Sequence, residues 1–305
     1  MMNERETVSD FLIADDSFQT TKPKVGELRR IAGVMRGRRV VEISAVVIVI
    51  FIFVAIFAPL IAPWSPNALD LRNTLSPPTR AHLLGTDELG RDTLSRIIFG
   101  ARISLLVGIV AVAAAGIIGM GLGLMAGYLG GWINVIIMRF IDALLALPPL
   151  ILMLAITAVL GGGLLNVLIA LGIGLMPTYC RLMCGLILTL KEMDFILAAK
   201  AIGAKSPRIM VRHLLPNALP PLLVLITMNL GTAILLEATL SFLGIGIAPP
   251  TPSWGSMVNG GYKYLLTNAM ISFAPGVCIL LVVLAFNMVG DGLRDALDPR
   301  LRGKI

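Results

Sequence analysis

The segment Asp194–Asn217, DFILAAKAIGAKSPRIMVRHLLPN, decides how this chain folds. It is the one long polar stretch between apolar runs in the C-terminal half of the sequence. Asp194 can cap a helix start, and Gly203 can take the left-handed backbone conformation that ends a helix. Ser206 then supplies a second cap, followed by a proline at the first helical position, and the second helix is expected to run until Pro216. The segment therefore predicts two short helices around a turn.

On both sides of this segment the chain is strongly apolar. Its mean hydropathy is +0.89, with 57% hydrophobic and only 14% charged residues among 305, which excludes an ordinary soluble domain. Ile103–Met138 and Ala143–Cys180 contain no charge at all. Because about 20 apolar residues cross a bilayer as a helix, each run is too long for one crossing and must fold back. The glycine-rich stretches at 128–131 and 161–163 are the expected turns.

These runs predict an all-α membrane protein. Six transmembrane helices are expected at roughly 42–62, 103–127, 134–160, 164–182, 219–245 and 269–290.

The distribution of basic residues orients the predicted helices. With the N-terminus in the cytoplasm, the inner segments hold 19 of the 25 Lys and Arg residues and the outer segments hold six. Since cytoplasmic loops are enriched in Lys and Arg, both ends of the chain are expected to be cytoplasmic. The chain is therefore expected to begin with a partly disordered cytoplasmic tail, 1–40, and to end with a cytoplasmic tail, 294–305. Between them lies a six-helix domain, 41–293. Its predicted external loops are 63–102 and 246–268, and its predicted cytoplasmic loop is 183–218.

Small and kinking residues mark packing positions inside the predicted helices. Gly119, Gly123 and Gly127 recur every fourth residue, a pattern that lets two membrane helices approach closely. The Pro148–Pro149 pair predicts a kink or local unwinding in the third helix. Asp142 lies three residues after Arg139, so an ion pair along one helix face is expected there.

A charge inside the bilayer is costly unless it is paired or hydrated. Glu237 lies within the fifth predicted helix, so it is expected to face either a water-filled path or a partner subunit. Asn229 and Ser241 on the same helix are further candidates for the translocation path.

The sequence contains no recognisable catalytic constellation. Its two histidines, His82 and His213, have no companion residues typical of a catalytic triad or a zinc site. It also contains no glycine-rich loop ending in Gly-Lys-Ser/Thr, so ATP binding by a P-loop is excluded for this chain. A non-catalytic role is expected, with no cofactor.

The polar segment resembles the cytoplasmic coupling loop of ATP-binding cassette (ABC) importer permeases. The matching residues, in the family's order and spacing, are Ala198, Ala199, Gly203, His213 and Pro216. One position departs from the pattern, because Leu197 stands where the family often has Glu directly before the two alanines.

Further motifs resemble the "C" subunits of the dipeptide, oligopeptide and nickel permeases. They are Leu84–Asp92 (LGTDELGRD), Leu94–Arg96, Gly100–Ser104, Leu240–Gly244 (LSFLG), Pro249–Gly255 (PPTPSWG) and Gly290–Arg300 (GDGLRDALDPR). The resemblance covers about residues 40–303 and implies a type I ABC importer permease fold with a cytoplasmic coupling-helix loop.

The resemblance also implies partners in a bacterial inner membrane. A second, related permease subunit would complete the pore, two ABC ATPases carrying ATP and Mg would bind the inner loop, and an extracytoplasmic binding protein would deliver the cargo. Dipeptides and oligopeptides are the expected cargo, with nickel or a glutathione-like peptide as alternatives. A secondary transporter, which needs no ATPase, is the alternative from another class, but the sequence shows no duplicated halves.

The candidate sites follow from this resemblance. The residues expected to couple to the ATPase are Asp194, Ala198, Ala199, Gly203, Ser206, Arg212, His213 and Pro216. Those expected in external docking loops are Asp87, Glu88, Arg91, Asp92 and Trp254.

Overall fold

The computed structural model describes residues 38–297, and all the regular elements in that range are helices. In chain order they are α1 (Arg39–Ile56), α2 (Ala58–Ile61), α3 (Thr93–Leu129), α4 (Gly131–Leu145), α5 (Pro149–Leu160), α6 (Leu164–Leu190), α7 (Asp194–Ala201), α8 (Ser206–Ile209), a π-helical turn (Met210–Leu214), α9 (Leu215–Phe242), α10 (Trp254–Tyr262) and α11 (Met270–Leu297).

Five helical stretches in the described part of the chain are long and apolar enough to cross a membrane. A sixth crossing is obtained if α4 and α5, which meet at an angle of 89°, count as one broken span. The predicted all-α membrane architecture is confirmed, and the predicted turns at 128–131 and 161–163 separate helices as expected. The expected disorder of the N-terminal tail falls on residues 1–37, outside the described range, as do residues 298–305 of the C-terminal tail.

The bend between α4 and α5 lies at the predicted proline pair. Pro148 is the N-cap residue of α5 and Pro149 is its first residue. Proline has no backbone N–H and disfavours helical conformation in the residue before it, so two consecutive prolines favour a break between α4 and α5 at this point. The single third helix predicted at 134–160 is therefore wrong in its continuity, whereas the predicted break at the prolines is confirmed.

Helix α3 begins ten residues earlier than predicted. The Asp92 carboxylate accepts a hydrogen bond from the backbone N–H of Ser95 at 2.7 Å and so caps the helix start. Hydropathy alone places this start after Arg96 and Arg102, although Arg96 is buried and its Nη1 donates to the Pro66 carbonyl at 3.0 Å. Residues 93–102 of the predicted external loop are thus helical.

The centre of the fold is the contact between α3 and α6. A Cβ atom at Gly123 would lie 2.4 Å from the carbonyl oxygen of Cys180, and one at Gly119 would lie 2.5 Å from that of Met176. At Gly127 the nearest atom would be Ile187 Cβ at 2.8 Å. The predicted glycine repeat therefore brings two membrane helices to backbone contact, as expected for small residues in a bilayer.

Contacts between connecting segments sort into two groups, one at each end of the bundle. At the first end, Lys191 Nζ donates to the carbonyl of Gly127 at 3.4 Å, and Arg38 pairs with Asp295. At the second end, the N–H of Gly163 donates to the carbonyl of Gly246 at 2.9 Å. The α7–α8 segment follows α6 at the first end, and the 63–92 loop belongs to the second.

Asp142 pairs across helices instead of along one. Its carboxylate accepts a hydrogen bond from Arg181 on α6 at 2.6 Å. The predicted pair with Arg139 is wrong, because α6 packs beside α4 and presents a guanidinium at closer range. Both partners are about half exposed, so this surface pair contributes little to stability.

The glycine contact can be tested with a matched pair of substitutions on α3. Gly123→Ala forces a methyl group into the Cys180 carbonyl, whereas nothing lies within 4 Å of a Cβ at Gly121. We expect Gly123→Ala to destabilise the protein by about 1–3 kcal/mol through overpacking, and Gly121→Ala to be neutral. The thermal unfolding midpoint of the detergent-purified protein measures the difference. Equal midpoints for the two variants would contradict the assigned α3–α6 interface.

Candidate functional site

The polar segment at the first end folds as two helices joined at Gly203. Gly203 takes φ +77°, its N–H donates to the Lys200 carbonyl at 2.9 Å, and the next N–H reaches back to Ala199 at 3.0 Å. The predicted left-handed turn is confirmed. Among residues 38–297, no neighbouring atom lies within 4 Å of a Cβ placed on Gly203, so a side chain there would be strained by its backbone conformation but not blocked by these neighbours.

The helix limits within this segment differ from the predicted ones. The N-cap residues are Met193 and Lys205, so Asp194 and Ser206 are first helical residues and their side chains make no cap hydrogen bond. Pro216 does not end the second helix. The chain continues as one helical stretch from Ser206 to Phe242, because the π-helical turn before Leu215 keeps the backbone helical into α9.

Helix α7 has one face turned into the chain's own core. Ile196 and Ala199, three residues apart, are both buried there, as are Ile209 and Leu214 farther along. Ala199 is only 6% exposed. The expectation that Ala199 offers a small side chain to an ATPase is therefore wrong, because this chain already covers it.

The opposite face of α7 is apolar and exposed. Phe195, Ala198 and Ile202 follow one another at i, i+3 and i+7 and so share a face, with Leu197 beside it. Ile202 is 85% exposed and Leu197 48% exposed. These four residues are called the α7 outward face below. An apolar cluster of this kind outside the membrane-crossing helices is typical of a protein-binding surface.

Basic side chains accompany this face. Lys200, Lys205, Arg208 and Arg212 are all exposed, and Pro216 is exposed while His213 is half-buried.

Most of the predicted docking residues at the second end hold the 63–92 loop together through contacts within this chain. Asp87 is buried and accepts hydrogen bonds from the N–H groups of Leu89 and Arg91 at 2.9 Å each and from Arg91 Nε at 2.6 Å. Arg96 Nε approaches the same carboxylate at 3.5 Å. The Asp92 carboxylate caps the start of α3, and its other oxygen lies 2.9 Å from His82 Nδ1.

Trp254 is also internal. It is fully buried, its indole N–H donates to the Ile97 carbonyl at 3.0 Å, and its ring meets Phe51 edge-on with centroids 5.5 Å apart. The expectation that Asp87, Arg91, Asp92 and Trp254 offer side chains to a partner is wrong, because intrachain contacts enclose them.

Glu88 is the exposed member of that set. It accepts a hydrogen bond from the Tyr264 hydroxyl at 3.1 Å, and this contact raises the pKa of Tyr264, since deprotonation would place two negative charges side by side. The residues next to Tyr264 in the chain include large exposed side chains that sequence reasoning missed, namely Tyr262, Leu265 and the fully exposed Leu266. The signal was the run Tyr262–Leu266 (YKYLL), which is too short for a membrane span and is rich in aromatic and leucine side chains around Lys263.

Glu237 is completely enclosed by this chain. The Ser104 hydroxyl donates to one carboxylate oxygen at 3.2 Å and the Ser241 hydroxyl to the other at 2.8 Å. The expectation that Glu237 faces a water-filled path or a partner subunit is wrong for this structure, and Ser241 is likewise buried. Asn229 is half-buried on α9, and its assignment to the path stays a prediction.

Two family models match the chain. Residues 119–303 match the binding-protein-dependent transport system inner membrane component, and residues 34–78 match the N-terminal TM domain of oligopeptide transport permease C. Among solved structures, an inward-facing MetNI methionine ABC transporter superposes with a TM-score of 0.54 at 22% identity, covering 67% of this chain and 97% of that one. At that identity the likeness shows the fold.

Similar sequences cover nearly the whole chain. The dipeptide transport system permease protein DppC of Alkalihalophilus pseudofirmus is 45% identical over 268 residues, 88% of each chain. The probable D,D-dipeptide transport system permease protein DdpC of Escherichia coli K12 is 42% identical over 275 residues, 90% of this chain and 92% of its own. The glutathione transport system permease protein GsiD of Escherichia coli O6:K15:H31 is 44% identical over 261 residues, which cover 85% of this chain and 86% of GsiD. The chain therefore belongs to the family of binding-protein-dependent transport system inner membrane components, as a C-type permease of the ABC peptide importers.

Proposed function

We propose that this chain forms half of the membrane pore of an ATP-driven importer for dipeptides or short oligopeptides. The observation that carries the coupling to ATP is the α7 outward face, an exposed apolar surface in the polar segment between two membrane helices. The peptide cargo is supported by the dipeptide permeases among the relatives. One of the similar chains is a glutathione permease, so a glutathione-like peptide is the second candidate.

The proposed assembly places ATP and Mg on other chains. Two ABC ATPases bind the first end, a second permease subunit completes the pore, and an extracytoplasmic binding protein docks at the second end. This chain itself is non-catalytic. Its role is to transmit motion. When the ATPases bind ATP and close, they move the α7–α8 segment, and the helix bundle changes between two conformations.

The proposed ATPase contact is the α7 outward face. Burying Phe195, Leu197 and Ile202 supplies hydrophobic free energy at a rate of about 25 cal/mol per Å² of apolar surface removed from water. The surrounding Lys200 and Lys205 favour an acidic margin on the partner. Because Leu197 replaces the Glu often found in the family, the contact at that position is apolar and not ionic.

In the proposed orientation the first end is cytoplasmic and the second end faces outward. The support is the 19-to-6 division of basic residues. The tails and the 183–218 loop then lie inside, and the loops at 63–102 and 246–268 lie outside. The external docking surface is revised to the exposed residues around Glu88, with Tyr262, Leu265 and Leu266.

The neighbouring alanines of α7 separate docking from folding. Ala198→Asp puts a charge on the outward face, so we expect normal membrane abundance but loss of ATPase co-purification and of uptake. Ala199→Asp puts the same charge into the core, and should lower abundance because a buried unpaired charge is costly. Immunoblotting of membranes and of the purified complex measures both.

Thr74→Asp is the control for charge alone, since Thr74 is exposed on the outer loop. It should leave ATPase binding intact. Undiminished ATPase binding by Ala198→Asp would remove the α7 outward face from the interface.

The orientation is tested by labelling single cysteines in sealed cells with a membrane-impermeant maleimide. Thr79→Cys on the 63–92 loop should react from outside, and Ser206→Cys should react only after the membrane is opened. Background is low, because Cys180 and Cys184 are buried and Cys278 is half-buried. Reaction of Ser206→Cys in intact cells would reverse the orientation and refute the coupling role together.

The cargo is tested on the binding protein and by uptake. We expect the cognate binding protein to bind dipeptides in calorimetry, and deletion of this chain to abolish uptake of a radiolabelled dipeptide while leaving nickel accumulation unchanged. Preferential binding of glutathione would favour the second candidate. Dipeptide uptake that persists without ATP hydrolysis would favour a secondary transporter.

A further inference from the structure

Glu237 joins three parts of the chain through a directed network of hydrogen bonds. The Ser104 hydroxyl, which donates to Glu237, accepts the backbone N–H of Trp254 at 3.4 Å. The Ser241 hydroxyl, which also donates to Glu237, accepts the backbone N–H of Ile247 at 3.1 Å. Each hydroxyl thus receives a main-chain N–H from the second-end connection and passes its own hydrogen to the carboxyl group.

The network requires an acceptor at both oxygens of residue 237. Each serine has one hydroxyl hydrogen, and a backbone N–H can only donate, so the serine hydrogen must point to Glu237. In residues 38–297 no Lys, Arg or His lies within ion-pairing distance of Glu237. A carboxyl group accepts both bonds; an amide accepts only one and presents a competing donor to the other serine.

Helix α10 is seated directly over this network. A Cβ at Gly255 would lie 2.5 Å from Ala238 Cα, so the backbones of α10 and α9 are in contact beside Glu237. At its other end, a Cβ at Gly261 would lie 2.7 Å from the Ser272 N at the start of α11. Helix α10 therefore has little freedom to move without α9 and α11, and it leads directly into the exposed Tyr262–Leu266 run.

The same helix that carries Glu237 reaches the first end. The stretch Ser206–Phe242 is continuous over 37 residues, roughly 55 Å at the α-helical rise. Its first residues belong to the segment that holds Arg212 and His213, and its last turns hold Glu237 and Ser241. A displacement of α10 at one end is thereby connected to the coupling segment at the other.

We propose that Glu237 is a positioning residue that locks α10 onto the outer end of this long helix, so that docking of the binding protein at the second end is transmitted to the ATPase-coupling segment. This inference rests on the proposed function. It assigns to Glu237 neither cargo contact nor a place in the pore. Loss of the network leaves the inner contacts in place and disconnects them from α10.

The position of α10 can be tested on this chain without any partner. Met257 on α10 is buried, so Met257→Cys should react slowly with an impermeant maleimide in membrane vesicles. Adding Glu237→Leu, which can accept neither serine hydrogen, should increase the labelling rate at least about tenfold, since two buried hydrogen bonds are lost. Glu237→Gln, which keeps one acceptor, should give an intermediate rate. An unchanged rate in the Glu237→Leu protein would overturn the proposal.

The transmission is tested in the complete transporter, co-purified with its ATPases and second permease and reconstituted in liposomes with its binding protein. For Glu237→Leu we expect basal ATP hydrolysis within about twofold of the unaltered protein and loss of roughly tenfold or more in stimulation by the binding protein. Glu237→Gln should recover part of that stimulation. Thr239→Val is the matched control, because within residues 38–297 the Thr239 hydroxyl bonds only to the Leu235 carbonyl of its own helix.

The outcomes separate this inference from the proposed function. If the unaltered chain neither retains ATPases nor responds to a binding protein, the proposed function fails, and the Met257→Cys labelling alone decides the α10 lock. If the unaltered complex is stimulated and Glu237→Leu is stimulated equally, the proposed function stands and the transmission role is refuted. Parallel loss of basal and stimulated hydrolysis would also refute it, because it would show a general structural defect.

Discussion

The backbone contact between α3 and α6 is the constraint on which the rest of the structure depends. Lipid tails are as apolar as the helices, so burial gives little reason for two membrane helices to associate, and close van der Waals packing must supply it. Glycine at 119, 123 and 127, on successive turns of α3, permits that packing. With this pair fixed, α5 packs on α6 through Met153 and Gly174, and the α7 inner face closes over the same core.

Polar groups at the second end are placed under a different constraint. Backbone and side-chain polar atoms near the bilayer have to find partners inside the protein, because water is scarce there. Asp87 contacts two arginine side chains and accepts hydrogen bonds from two main-chain N–H groups. Asp92 caps α3, and Glu237 accepts hydrogen bonds from two serine hydroxyls. Asp87, Asp92 and Glu237 are therefore structural, whereas Glu88 stays exposed.

The sequence predicted what local rules determine. Charge-free length located the membrane helices, Gly203 required a left-handed turn, and the glycine repeat marked the packed face. The errors arose where partners distant in sequence decide. Asp142 pairs with Arg181 on another helix and not with Arg139 on its own. Ser104 and Ser241 donate hydrogen bonds to Glu237, and the core of the chain covers the small side chain of Ala199. Pro216 does not end the second helix, because the π-helical turn Met210–Leu214 leads directly into α9 and Pro216 lies in the first turn of that helix.

The two ends of the bundle are completed in different ways. Hydrogen bonds are directional, so a network such as that around Glu237 fixes the second end within a single chain. Hydrophobic contact is non-directional, and the α7 outward face leaves its apolar side chains exposed while its inner face is anchored by Ile196 and Ala199. The inner face of α7 therefore fixes the position of this helix, while its exposed apolar face can be buried by a protein that binds there. In the proposed assembly, hydrogen bonds within this chain therefore fix α10 at the second end, and an ATPase covers the α7 outward face at the first end.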